Sequence, residues 1–287
     1  MLPAKRKQDL SPRMALAKWT LFDLANAFFL TAVAALCVVP IIHMFALSLS
    51  SPAAAAGRLV GLWPVDFATT SYRAVLTNSV WIGALFVSLQ RTFLGTIISM
   101  VLTIITAYPL SRPRGEMRGR QLFLWVLVFA FLFDGGLIPW FLVIRRLHLL
   151  NTIWALVLPD ALRIWNVILL IGFFSEVPVD LSDAAAIDGA SHWRRLESIY
   201  IPMSRSAIAT LTLFTAVHHW NAWFDGMVLI WDGAKYPLQT MIRAVLPTAG
   251  RAHRATLVMV GMLPILLIYP LLLRYFVEGT KIGALKG

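Results

Sequence analysis

Ser175–Met203 reads SEVPVDLSDAAAIDGASHWRRLESIYIPM, and its punctuation organises the chain on either side of it. Pro178 can stand just outside a helix start. Asp180 with Asp183 has the spacing of a capping box with Asp in the reciprocal place. A short helix is expected to run to Asp188, where Gly189 supplies the left-handed stop that glycine takes without steric cost. Ser191 can cap a second short helix, expected to reach about Tyr200 and to end at Pro202. The product is a helix–glycine–helix elbow. Ala184, Ala185, Ala186 and Ala190 keep it thin, so another protein's backbone could approach closely; an ordinary amphipathic loop is the alternative reading.

Outward from the elbow the chain is apolar. It has 287 residues, 59% of them hydrophobic and 14% charged, with a mean hydropathy of +0.75. Soluble domains carry about 25% charged residues, so a soluble or disordered chain is excluded. Apolar runs fall at about 21–49, 86–110, 122–144, 153–174, 207–224 and 256–275. Each can cross a hydrocarbon core of about 30 Å at about 1.5 Å per residue. Backbone groups facing lipid must be paired within their own segment, so the runs should be helical. The fold expected is all-α and polytopic, with six transmembrane helices. The organisation expected is a first span with its flanks over 1–80, a five-helix core over 81–276 containing the elbow at 176–203, and a tail over 277–287. The basic stretch Met1–Lys18 resembles the start of a signal peptide. The run after it continues to about Leu49, too long for a signal core, and it is read as an uncleaved first span.

Basic residues orient the spans. Fifteen, among them Lys5, Arg6, Lys7, Arg13, Lys18, Arg112, Arg114, Arg118, Arg120, Arg194 and Arg195, fall on the side of the termini; eight, from Arg58 to Arg254, fall on the other. This bias places both termini and the elbow in the cytoplasm. It also removes the nucleic-acid reading of the net charge of +11, because the charge is spread over loops and flanks. A single cysteine, Cys37, excludes a disulfide framework.

Asp183-Ala184-Ala185, Asp188-Gly189-Ala190 and Ile199, Ile201 and Pro202 resemble the EAA motif of inner-membrane permease subunits of ABC importers. Asp183 stands where that motif has Glu, Leu196 where Phe is common and Ser206 where Pro is common. The first change keeps the charge, and none touches the glycine. The resemblance extends over nearly the whole chain and is nearest the carbohydrate branch that includes the smaller maltose permease. It is nearest there to subunits for complex oligo- and polysaccharides such as alginate. The segments that carry it are LCVVPIIHMFALSLSS (36–51), DGGLIP (134–139), LLNTIWALVLP (149–159), HWNAWFDG (219–226), YPLQT (236–240) and YFVEGTKIGALKG (275–287). The resemblance implies a type I importer permease in the bacterial inner membrane and a heterodimer with a second, related permease. It implies two cytoplasmic ATPase subunits that use ATP and Mg, a periplasmic solute-binding protein and a saccharide cargo. The elbow would be a coupling helix: Asp183, Ala184, Ala185, Asp188 and Ala190 at the contact, Gly189 at the bend, Trp193 on the docking surface and Pro202 at its close. The first span, with Asp23 and Asn26 near its cytoplasmic end, would wrap the partner permease.

No GxxxxGK[ST] stretch is present, so the energy source must be another chain, and this chain binds no cofactor of its own. Polar residues inside the spans are the candidates for a sugar path. Asp160 and Arg163, at i and i+3 of the fourth span, should share a face as an ion pair or as a polar lining. Trp165 and Asn166 follow them. Trp220, Asn221 and Trp223 close the fifth span as sugar-stacking groups or as an interfacial aromatic belt. Asp134-Gly135-Gly136 is a polar hinge in the third span or its outer end. His218-His219 diverge on a helix, no carboxylate or cysteine cluster completes a metal site, and no nucleophile–base pattern suggests catalysis. A membrane-embedded glycosyl or lipid transferase and an ion-coupled carrier are the competing classes. Arg145, Arg146, Arg243, Arg251 and Arg254 give the outer face a positive excess that would suit either an acidic saccharide or an acidic binding protein.

Overall fold

The computed structural model describes residues 20–113 and 115–284, with side chains through Ile268. Met1–Trp19 and Arg114, which contribute to the charge bias, lie outside the described residues, as do the last three residues and the side chains of Arg274 and Lys281. Among the described residues every regular element is a helix, apart from one isolated bridge between Ser50 and Phe67.

Helix α1, Leu21–Ser48, begins in a reciprocal capping box in which Thr20 caps Asp23 and Asp23 returns to Thr20. Its length and apolar sides fit the first expected span, and most of its large side chains face outward. Short helices α2 (Pro52–Ala56) and α3 (Thr70–Leu76) shape the outer loop. The long helix α4, Ser79–Ser111, is the hub, packing on the helices that follow at Arg120–Leu132, Ile153–Val157, Ile164–Ser175, Arg205–Asn221 and Leu238–Val245. Arg91, Gly95, Ser99, Thr103 and Ala107 form a stripe along it at four-residue spacing, and all five are buried. Small side chains at that spacing let a neighbouring backbone approach within a bilayer, where lipid is as apolar as the core and close packing drives association.

The third and fourth expected spans are not single helices. The third is α5 (Arg120–Leu132) and α6 (Leu137–Arg146), bent by 114° at the Asp134-Gly135-Gly136 junction. Gly136 has φ +81, and Asp134 accepts from the Gly136 amide at 2.8 Å, so the polar triplet turns the chain. The fourth is α7 (Ile153–Val157) and α8 (Ile164–Ser175), separated by a non-helical stretch at 158–163. Pro159 lacks an amide hydrogen and clashes with the preceding turn, and here it breaks the helix outright. Asp160 and Arg163 are therefore not one turn apart on a helix face.

After α8 come the elbow helices α9 (Val179–Ile187) and α10 (His192–Arg195), a wide π turn over Leu196–Tyr200 and α11 (Ile201–Met203). The helical path passes through Pro202 and ends one residue later than expected. Helix α12, Arg205–Asn221, returns through the bundle and stops short of the expected Phe224. The chain breaks at Ala222-Trp223, makes α13 (Phe224–Leu229), a short turn and α14 (Leu238–Val245), then continues as α15 from Arg251 to Ala284. Among the described residues three helices, α1, α4 and α15, are each long and apolar enough to cross a membrane, and up to five segments are if the bent pairs α5–α6 and α8–α9 each count as one.

Helix α12 packs on the α4 stripe. A Cβ on Gly95 would fall 2.6 Å from the His219 ring, so this crossing depends on glycine. Overpacking a tight contact costs about 1–3 kcal/mol. Gly95→Ala should therefore lower the melting temperature in detergent. His219→Ala should recover more in that background than its own effect predicts; additive effects would mean that the two residues do not meet.

Candidate functional site

Two regions concentrate the polar chemistry. The first is a cavity of about 860 Å³ walled by the start of α6, the α7–α8 break and the end of α12. Its lining includes Asp160, Arg163, Trp165, Asn166, Asn221 and Trp223. Sequence reasoning named all six; the structure gathers them from two distant segments. Asn166 is buried and donates to the Thr215 hydroxyl at 2.9 Å, a bond that ties α8 to α12. Thr215 is ten residues into α12, about 15 Å along its axis. Trp165 presents much of its ring and stacks at 6.0 Å on Phe131 of α5. Asn221 and Trp223 are exposed to the cavity mouth, with the Arg243 guanidinium 4.9 Å over the Trp223 ring. Trp220 does not join them. It is buried on the opposite side, where its indole N–H donates to the Gly261 carbonyl at 2.9 Å.

Charge pairing in the cavity differs from the expected Asp160–Arg163 pair. Asp160 Oδ2 lies 2.8 Å from His218 Nε2 on α12. The His218-His219 pair diverges as expected: His218 faces the cavity and His219 is buried against Gly95. Behind the cavity, the fully buried Arg91 of α4 holds Asp225 with both terminal nitrogens, Nη1 at 3.1 Å from Oδ1, and donates from Nη1 to the Ala222 carbonyl at 3.1 Å. This clamp fixes the turn that ends α12 and places Trp223. A Cβ on Gly226 would run into Thr240, whose hydroxyl donates to the Trp223 carbonyl at 3.0 Å, so the turn is packed as tightly as it is paired. A buried Arg inside an apolar run and an acid after an aromatic-rich span were the legible signals; their pairing was not.

The second region is the elbow. Gly189 has φ +79. Its amide donates to the Ala186 carbonyl at 3.0 Å and that of Ala190 to the Ala185 carbonyl at 2.9 Å, the double bond of a Schellman stop. Ser191 accepts from the Arg194 amide at 3.3 Å, as expected. The expected capping box at Asp180 does not form: Pro178 is the cap and makes no side-chain bond. Asp183, Ala184, Asp188 and Pro202 are exposed, Ala185 and Ala190 partly covered, and Trp193 is 64% exposed beside Ile187 at 87%. Exposed large apolar groups rimmed by polar ones mark contact surfaces.

What holds the elbow was not anticipated. Ser182, fully buried, accepts from Arg112 at 2.9 Å and from Arg195 at 3.3 Å. Arg112, at the end of α4, also clasps Glu116 through two 2.8 Å bonds and lies over the Tyr200 ring at 5.1 Å. The Arg112 hydrogen bonds hold the Glu116 carboxyl below its ordinary pKa.

No protein-family model matches the sequence. The chain is 34% identical over 284 residues, 93% of its length and 99% of the relative's, to the polygalacturonan/rhamnogalacturonan transport system permease protein YtcP of Bacillus subtilis (strain 168). It is 35% identical, over 93% of its length and 95% of the relative's, to protein LplC of the same organism. Its structure superposes with a TM-score of 0.81 and 30% identity on a chain of a bacterial ABC transporter involved in the import of the acidic polysaccharide alginate, covering 89% of this chain and 96% of that one.

The chain belongs to the sugar ABC transporter permeases. The permease is thus a multi-pass membrane protein and a non-catalytic transport subunit.

The Arg91–Asp225 clamp is testable in this permease. Removing one partner of a buried ion pair costs about 3–5 kcal/mol, whereas replacing both with apolar groups is often tolerated. Arg91→Met alone should sharply lower the thermal stability of the purified protein, and Arg91→Met with Asp225→Leu should restore most of it. A double variant no more stable than the single one would show that the two charges do not depend on each other.

Proposed function

We propose that the permease is the membrane-spanning subunit of an ATP-driven importer that moves oligo- or polysaccharide across the bacterial inner membrane by alternating access. Its termini and elbow face the cytoplasm. A second, related permease completes the path, two ATPase subunits supply the energy with ATP and Mg, and a periplasmic binding protein delivers the cargo. The cavity residues Asp160, Arg163, Trp165, Asn166, Asn221 and Trp223 form this chain's wall of the path. The alginate importer and the polygalacturonan/rhamnogalacturonan permease support a saccharide cargo.

One observation carries the mechanism: the elbow is continuous with both walls of the cavity. Helix α8 enters it at 76° to α9, and α12 leaves it after α11. Arg112 ties it to α4 through Ser182. A push on the exposed Asp183, Asp188 and Trp193 surface is therefore transmitted to α4, α8 and α12 together. An ATPase dimer that closes on ATP supplies such a push, and its differential contact with the two elbow positions biases the transport cycle. The competing transferase class needs a catalytic cluster at a membrane face; the cytoplasmic acids near the bend are instead exposed on the elbow or, in Glu116, committed to Arg112.

Gly189→Leu forces a side chain into the left-handed region and should misplace the second arm of the elbow. In proteoliposomes containing the full complex, saccharide uptake should fall at least tenfold while ATPase subunits still copurify and hydrolyse ATP. Uptake at the unmodified level would refute the lever role of this bend.

A further inference from the structure

The break between α7 and α8 has a second consequence. On an unbroken helix Asp160 would neutralise Arg163. In the folded chain Asp160 is committed to His218 at 2.8 Å, Asp225 to Arg91, and Asp134 accepts from the Gly136 amide. Among the described residues no carboxylate pairs with Arg163, and its guanidinium makes no hydrogen bond. Yet Arg163 lines the cavity at the head of α8, three residues before the buried Asn166–Thr215 bond that joins α8 to α12. An ionised side chain among membrane-protein helices is costly unless it faces water or a counter-charge. A cavity that leaves it without a protein partner leaves its planar fork available to an anionic cargo group, and that fork matches a carboxylate in two parallel bonds. The exposed Trp165 ring lies two residues further on, and Asn221 stands among the same lining residues. Together they offer one cation, one stacking face and one hydroxyl-directed amide.

We propose that Arg163 is the specificity-determining residue through which this chain recognises a carboxylate of its cargo, and that the cargo is a uronate-containing oligosaccharide. This rests on the importer reading above and adds two things to it: that this chain itself contacts the sugar, and which chemical group it reads. Asp160 is then a positioning residue. Held by His218, it stays off the guanidinium and leaves it open.

The test uses the full complex, with both permeases, the ATPases and the binding protein, in proteoliposomes. The probes are trigalacturonate and trimannuronate, each compared with its fully methyl-esterified, uncharged form. The wild-type complex should take up at least one of the acids. Arg163→Gln should lower acid uptake at least tenfold more than it lowers ester uptake. Arg163→Lys should fall between, because an ammonium keeps the charge without the fork. Equal loss of acid and ester uptake in Arg163→Gln would make Arg163 structural and overturn the proposal, as would a wild-type preference for the esters. A wild-type complex that hydrolyses ATP but moves none of the four probes would overturn the uronate assignment alone. If no ATPase associates with the permease, the importer reading falls and the inference falls with it.

Discussion

Arg91 is a full positive charge enclosed on every side at a depth where water is scarce. Such a group persists only if its counter-charge is fixed beside it. Asp225 meets that demand at both terminal nitrogens and the Ala222 carbonyl accepts from Nη1, while Nε is left without a partner; in meeting it, these groups dictate the chain's course. The helix arriving at Asn221 cannot continue, because the two residues that satisfy Arg91 lie just beyond it and must fold back toward α4. Trp223 is carried to the cavity mouth by that turn. Several features that look independent, among them the short α12, the packed Gly226 and the placement of the aromatic shelf, are consequences of neutralising one guanidinium.

The same economy of partners operates on the opposite wall. Pro159 ends a helix, and the loop that results rotates Asp160 toward α12, where His218 receives it. Asn166 then fastens α8 to Thr215 one turn deeper. Two polar bonds, one at the cavity surface and one beneath it, couple α8 to α12 while leaving the volume between their outer ends open. At the elbow end the coupling passes to Ser182, a single hydroxyl shared by guanidinium groups from two elements. The wall and the elbow thus behave as one mechanical piece with a soft point at Gly189, where a left-handed residue flanked by exposed ones is held by backbone bonds alone.

Much of this was legible in the sequence because it is local. Gly189 and Ser191 announce the elbow through chemistry that needs no tertiary context, and the apolar runs announce spans through length. The errors had several sources. The runs 122–144 and 153–174 were each expected to make one span; the hinge reading of Asp134-Gly135-Gly136 is the one the structure adopts, whereas Pro159 breaks the fourth span and takes Asp160 and Arg163 off a shared helix face. Such breaks are favourable only where the freed backbone lines a polar cavity rather than lipid. The capping box at Asp180 failed because Pro178 already occupied the cap. Trp220 shares its neighbours' composition, and only its rotation on α12 sends it to Gly261 instead of the cavity. Pairings between residues more than a hundred positions apart, Arg91 with Asp225 above all, have no local signature. The four-residue stripe on α4 did have one, in Arg91, Gly95, Ser99, Thr103 and Ala107, and hydropathy averaged it away.

The polar wall also constrains what must lie opposite it. Asp134, Asp160, Arg163 and His218 open onto one cavity among the helices, and hydrocarbon cannot cover such groups. The apolar faces of α1 and α5, by contrast, are suited to lipid or to a protein's apolar surface. A chain with one lipid-compatible side and one charged concave side is half of an enclosure. Closing it with water alone would open the membrane to leakage, so the surface supports the second permease wall proposed above. Under the alternating-access cycle proposed above, that wall would leave the cavity accessible from each side in turn, and the joint at the elbow is where the chain would permit it.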